Sequence, residues 1–199
     1  IVATIGTMSL FRGIAYAVLG DRVLKDYPAS FAVFGQGYAL GPVTVELLIF
    51  ATSIVLAALV LHYTRWGRFI YALGANGAAA RYSGVAVDRY KFVLFSITGL
   101  MSGLAAVMLT SRLGSTRPSI AQGWELEIIS MVILGGVSVW GGKGSILGVV
   151  LAALVFGLVT FGLGLLNIPG IVMSIFTGML LILVVAVPAL VNRPFGNRS

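Results

Sequence analysis

The chain has 199 residues, 59% hydrophobic and only 10% charged, with a mean hydropathy of +1.05; a soluble domain needs about 25% charged residues to solvate its surface. These proportions exclude a water-soluble bundle and predict an all-α fold, a polytopic transmembrane helical bundle. The net charge of +7 marks no nucleic-acid binder, because the basic residues fall between apolar runs, and with no cysteine and one histidine, His62, there is no disulfide and no thiolate or histidine-rich metal centre.

A bilayer-spanning helix takes about 20 mostly apolar residues. Six stretches are expected to supply spans: Ile1–Leu19, Val43–Leu61, Phe92–Ser111, Leu126–Trp140, Ser145–Leu166 and Ile171–Val191. The chain opens at Ile1 inside an apolar stretch, without the basic start and small-residue cleavage site of a signal peptide. It reads as a fragment truncated at its N-terminus.

Span one carries Arg12, about 12 Å from its outer end at the helical rise. An ionisable residue inside a span is costly and is by default a functional candidate. Arg12 is thus a candidate to line a polar translocation pathway, to pair with a carboxylate on a further helix or to snorkel outward. Thr7 is a second pathway candidate. The loop after span one balances Arg22 and Lys25 against Asp21 and Asp26. Span two begins near Glu46, an acid expected at the interface and solvated.

Between spans two and three lie Arg65, Arg68, Arg81, Arg89 and Lys91 against Asp88 alone. Positive loops stay inside, so this loop is cytoplasmic and the loop after span one is external. Within it, Gly74 and Gly84 bracket an alanine-rich run that favours a short helix. Asn76 is placed to cap its start.

Span three contains the small-xxx-small pair Gly99 and Gly103, which suits close helix packing in lipid. The external loop beyond it holds Arg112 and Arg117. Glu125 and Glu127 open span four, where acids complement a helix N-terminus, and both are also pathway candidates. Span four is short, roughly 22 Å at the helical rise.

The following GGVSVWGGKGS is not a phosphate loop, because Val137 stands where a glycine is required and Gly144 where Ser or Thr must follow lysine. It is not a dinucleotide fingerprint either, because Leu147 replaces the third glycine. Gly144 and Gly148 form a second small-xxx-small pair ahead of span five. Pro169-Gly170 turns the chain into span six, and Arg193 and Arg198 place the tail inside. Neither a nucleophile–base pair nor a metal-ligand cluster is visible, so nothing argues for an enzyme or for a bound cofactor.

Four segments in this order carry a family likeness: TIGTMSLFRG (4–13), ALGANGAAARYSGVAVDRYK (72–91), RLGSTRPSIAQGWELEIISMVILGG (112–136) and GGKGSILG (141–148). The chain resembles the permeases of the ribose, xylose, rhamnose and autoinducer-2 class of bacterial ABC importers, with the GSTRPSIAQGWELE loop most similar to rhamnose-type members. The resemblance implies a type II importer-like permease with about four further N-terminal spans. It also implies a second permease subunit, identical or paralogous, two ABC ATPase subunits and a periplasmic solute-binding protein, all at the cytoplasmic (inner) membrane of a bacterium.

On that likeness the 65–91 loop becomes the ATPase-coupling element, with Asn76, Ala79, Arg81, Tyr82, Ser83 and Gly84 at the contact, and Arg112 and Arg117 become binding-protein docking residues. The implied function is import of a sugar or sugar-like solute driven by ATP that a partner hydrolyses. An ion-coupled secondary transporter or channel is the competing class, and a membrane scaffold the third. The first of these competitors is disfavoured because no acid lies in the middle of a visible span.

Overall fold

The computed structural model describes residues 2–170 and, beyond them, residues 172, 173, 175, 176, 178–180 and 182. Most of the sixth expected span, and the tail with Arg193 and Arg198, therefore lie outside the described residues. Among the described residues four helices are long and apolar enough to cross a membrane. They are α1 (Val2–Leu19), α3 (Val45–Tyr63), α6 (Val87–Leu113) and α8 (Ile146–Leu165), the first, second, third and fifth expected spans. No residue of α1 or α3 is buried, as suits helices whose apolar sides meet lipid, where helix association depends on packing alone.

The fourth expected span needs correction. Helix α7 covers only Trp124–Leu134, 11 residues, or about 16 Å at the helical rise. It stops at Gly135, and Gly136 takes the left-handed φ of 84°, which breaks the helix before the apolar residues Val137, Val139 and Trp140. Composition extends the span through a pair of glycines that in fact end it.

The chain forms two compact units, one of residues 1–56 with 88–122 and the other of residues 57–87 with 123 onward. In the first unit the segment between α1 and α3 is a built cap. It holds α2 (Ala29–Gln36) and a two-stranded antiparallel hairpin of β1 (Tyr38–Leu40) and β2 (Val43–Thr44), a small addition to the all-helical expectation. Leu24 and Thr116 pair through two backbone hydrogen bonds of 3.0 and 2.9 Å, and the Tyr27 hydroxyl donates to Thr116 Oγ1 at 2.7 Å. Tyr27 also stacks on Phe31, with ring centroids 5.1 Å apart. The cap is thus tied to the chain that leaves α6.

In the second unit the basic interval after α3 folds as two helices, α4 (Arg65–Ala75) and α5 (Gly77–Tyr82). Thr64 caps α4, its side chain accepting from the Gly67 amide at 3.3 Å. Trp66, Phe69, Ile70 and Leu73 recur at the spacing of one helical face, while Arg65 and Arg68 stand apart from it, so α4 is amphipathic. Helices α7 and α8 then pack as a tight hairpin. A Cβ built on Gly135 would stand 2.5 Å from Val149 Cα, so only glycine admits this approach. Gly148 meets the Gly135 carbonyl in return, which makes Gly148 a packing residue as expected. Gly99 and Gly103, in contrast, would have nothing within 4 Å of an added Cβ and pack no helix within the described residues.

Candidate functional site

The α4–α5 element is built from its capping residue upward. Asn76 sits in extended backbone (φ −156°) between α4 and α5, and its side chain accepts from the Ala79 amide at 3.0 Å. A helix of six residues cannot hold itself together on propensity, so the cap and the packing of Ala80 matter. Ala80 is buried, whereas Ala78, Ala79, Arg81, Tyr82 and Ser83 are exposed, Tyr82 at 94%. At the far end the Ser83 hydroxyl donates to the Ala79 carbonyl at 3.0 Å, and Gly84 turns the chain with φ 81°. The expected short helix and its cap are both present. Asn76, Ala79, Arg81, Tyr82, Ser83 and Gly84 are all exposed, on α5 or at its two ends.

The expected pathway residues belong to two different units. A groove of about 620 Å³ lies between α1 and α6, lined among others by Thr7, Phe11, Phe95, Thr98 and Ser102. Thr7 and Thr98 each donate to a carbonyl of their own helix, Ala3 and Leu94, at 2.8 and 2.9 Å, so they offer oxygen lone pairs to the groove. Arg12 is half-buried on the same helix but does not line it. Glu125 and Glu127 belong to the first turn of α7 in the other unit, the former exposed and the latter half-buried. Thr98 and Ser102 escape a reading of the sequence, since hydroxyls on an apolar helix carry no local pattern that separates lining from packing.

Arg112 and Arg117, expected on the outer side, are both exposed. The Arg112 guanidinium lies 3.6 Å from the Glu46 carboxylate, with side-chain exposures of 68% and 25%. Glu46 is therefore partly buried and paired, a correction to its expected solvation. The backbone beneath is fixed by Ser111, almost fully buried, whose hydroxyl donates to the Phe31 carbonyl at 2.6 Å and accepts from the Gly35 amide at 2.8 Å. The Gln36 side-chain amide donates to the Arg112 carbonyl at 3.1 Å. Arg112 is thus held between α2, α3 and α6. No group of three or more metal-ligating side chains occurs among the described residues.

A family profile described as branched-chain amino acid transport system / permease component matches residues 1–185. The ribose import permease protein of Bacillus subtilis (strain 168) is 36% identical over 186 residues, 92% of this chain and 58% of the relative. That of Escherichia coli (strain K12) is 37% identical over 190 residues, 94% of this chain and 59% of the relative. The autoinducer 2 import system permease protein of Yersinia enterocolitica is 38% identical over 191 residues, 93% of this chain and 57% of the relative. The chain therefore spans a little under three fifths of the length of these curated relatives. No solved structure matches it. The chain belongs to this family of transport permeases and is a multi-pass protein of the inner membrane.

Proposed function

We propose that this chain forms part of the permease subunit of an ABC importer that carries a sugar or sugar-like solute across the membrane on ATP hydrolysed by a partner. The observation that carries the reading is the α4–α5 element. A capped six-residue helix stands out from the polar interval between two spanning helices, on the side that the positive-inside rule makes cytoplasmic. It exposes small side chains at Ala78 and Ala79 with Arg81 and Tyr82 beside them. Such a surface seats close against a groove of an ATPase subunit and adds one charge and one aromatic ring for registry.

Substrate class is supported by the relatives, which are named as ribose and autoinducer 2 import permeases. The permease supplies the pathway and the coupling, and its ATPase partner supplies the chemical free energy. ATP binding biases the permease between inward-open and outward-open states through contacts that differ between the two. The groove between α1 and α6 is the proposed pathway surface in this chain, with Thr7, Thr98 and Ser102 presenting oxygens to solute hydroxyls, while Arg12, Glu125 and Glu127 remain pathway candidates. Arg112 and Arg117 are proposed to meet carboxylates of a periplasmic binding protein, and a second permease subunit completes the pathway.

The test is uptake of labelled ribose and related sugars into vesicles holding the complete permease, with binding protein and ATPase subunit supplied. Uptake that requires ATP and the ATPase subunit supports the reading. Uptake that follows a proton or sodium gradient and ignores ATP overturns it.

A further inference from the structure

The GGVSVWGGKGS segment is neither a phosphate loop nor a dinucleotide fingerprint, yet it is among the most constrained stretches of the second unit. Gly141 and Gly142 take φ of 87° and 73°, values that L side chains adopt only with strain. Their turn is closed by its own bonds. The Ser138 amide donates to the Lys143 carbonyl and the Gly141 amide to the Ser138 carbonyl, each at 3.0 Å.

This turn lies directly on the end of α4. A Cβ on Gly74 would stand 2.6 Å from the Gly142 amide nitrogen, and a Cβ on Gly142 would stand 2.8 Å from Ala75 Cα. The Tyr71 hydroxyl, one turn earlier on α4, donates to the Gly144 carbonyl at 3.3 Å. Backbone therefore rests on backbone, with only the rigid Cβ of Ala75 beside it and no flexible side chain to yield. Immediately after the turn, Ser145 caps α8 by accepting from the Gly148 amide at 3.2 Å, and Gly148 is itself lodged against Gly135 at the end of α7. One uninterrupted series of close contacts runs from α4 through the double-glycine turn to the start of α8 and the end of α7.

We infer that the Gly141–Gly142 turn is the joint through which the α4–α5 element moves the α7–α8 hairpin, with Gly74, Gly142 and Tyr71 as positioning residues for coupled transport. Close-packed protein is nearly incompressible and passes strain on, so a displacement of α4 carries the turn with it, where flexible side chains would absorb it. The glycines serve twice here, for their φ and for the absent Cβ. The inference rests on the reading of α5 as the ATPase-facing helix.

The experiment measures three quantities on the complete permease with its ATPase subunit and binding protein: retention of the ATPase subunit, ATP turnover and solute uptake. Gly142→Ala and Gly74→Ala are compared with Gly157→Ala, a glycine of α8 with nothing within 4 Å, which is expected to match the wild type. Both joint variants are expected to keep the ATPase subunit and hydrolyse ATP, while uptake per ATP falls about tenfold, the factor given by about 1.4 kcal/mol of strain on the coupled state.

Unchanged uptake per ATP in Gly142→Ala overturns the inference. Loss of the ATPase subunit in that variant also overturns it, because the turn would then build the docking surface and transmit nothing. Should neither glycine variant insert, Tyr71→Phe decides, with a fall of about threefold expected for one lost neutral hydrogen bond and no change counting against the joint. Ala79→Trp in the same assay tests the underlying reading separately, because it touches α5 and leaves the joint as it is.

Discussion

Arg112 is held 3.6 Å from Glu46 while most of its own side chain remains exposed. A cation in this state is oriented by the fold and still accessible, whereas a wholly solvated arginine is accessible without being oriented. The pair itself contributes little to stability, since exposed ion pairs are worth about 0–1 kcal/mol. Its value lies in position.

The first prediction follows from that geometry. Replacing Arg112 and Arg117 together by Glu is expected to weaken binding-protein docking by about tenfold at low salt and by less at 0.15 M, where charges beyond about 8 Å are screened. Glu46→Gln leaves both cations in place and is expected to change affinity by no more than about twofold. Titration of the binding protein onto the reconstituted permease at two ionic strengths checks this, and an unchanged affinity in the double variant at low salt excludes the surface.

The second concerns the Ser111 hydroxyl, which satisfies the Phe31 carbonyl and the Gly35 amide at once. Ser111→Ala removes a buried hydroxyl that serves a donor and an acceptor on half-buried residues, at a cost of about 1 kcal/mol or more for each bond lost. The cap formed by α2 should loosen from the end of α6, and limited proteolysis within residues 20–44 should run about tenfold faster or more. Cleavage at the wild-type rate means that Ser111 does not hold the cap.

How far the sequence reaches depends on the kind of signal. The four described spans are legible because long apolar runs answer to one physical requirement, the thickness of the bilayer. Helix α4 is also written there, although charge hides it. Thr64 precedes it as a cap, and Trp66, Phe69, Ile70 and Leu73 mark one face, but the interval's cations draw the eye to topology and away from its period. The end of α7 is misplaced because glycine pairs in a membrane segment suggest packing as readily as a break. The cap over α6 lies beyond local reading altogether, since Ser111 meets Phe31 and Gly35 across more than 75 residues of chain. Thr98 and Ser102 line the α1–α6 groove beside Thr7, and nothing local in an apolar helix marks them as lining.

The third prediction addresses sidedness, and rests on the cation excess of the 65–91 interval against the balanced 20–44 segment. Ser30 and Ser83 are both exposed, so cysteines at these positions should react with an impermeant maleimide from opposite faces. Ser30→Cys is expected to label in intact cells and Ser83→Cys only after the membrane is opened. Labelling of both in intact cells reverses the orientation on which the coupling proposal depends.

The last prediction separates docking from folding in α5, where adjacent alanines face different ways. Ala80 is 6% exposed, whereas Ala79 is exposed and its amide takes the Asn76 cap. A large ring at Ala80 has no space and overpacks the contact beneath, at a cost of typically about 1–3 kcal/mol. Ala80→Trp is therefore expected to lower the amount of inserted permease. A ring at Ala79 strains nothing within the chain, since the cap uses the backbone amide, which survives the change. It stands instead where an ATPase groove would close on the helix. Ala79→Trp is thus expected to insert normally and yet retain less than about one tenth of the ATPase subunit, as a clash worth about 1.4 kcal/mol or more would produce. Asn76→Ala should lie between them, with the helix weakened by about 1 kcal/mol through loss of its cap and ATPase retention reduced a few-fold. The competing arrangement lays α5 on anionic headgroups, and there a tryptophan at Ala79 would strengthen membrane association, because its ring favours the interface. Quantifying permease insertion and ATPase co-purification side by side distinguishes the two, and wild-type retention in Ala79→Trp would remove α5 as the ATPase contact.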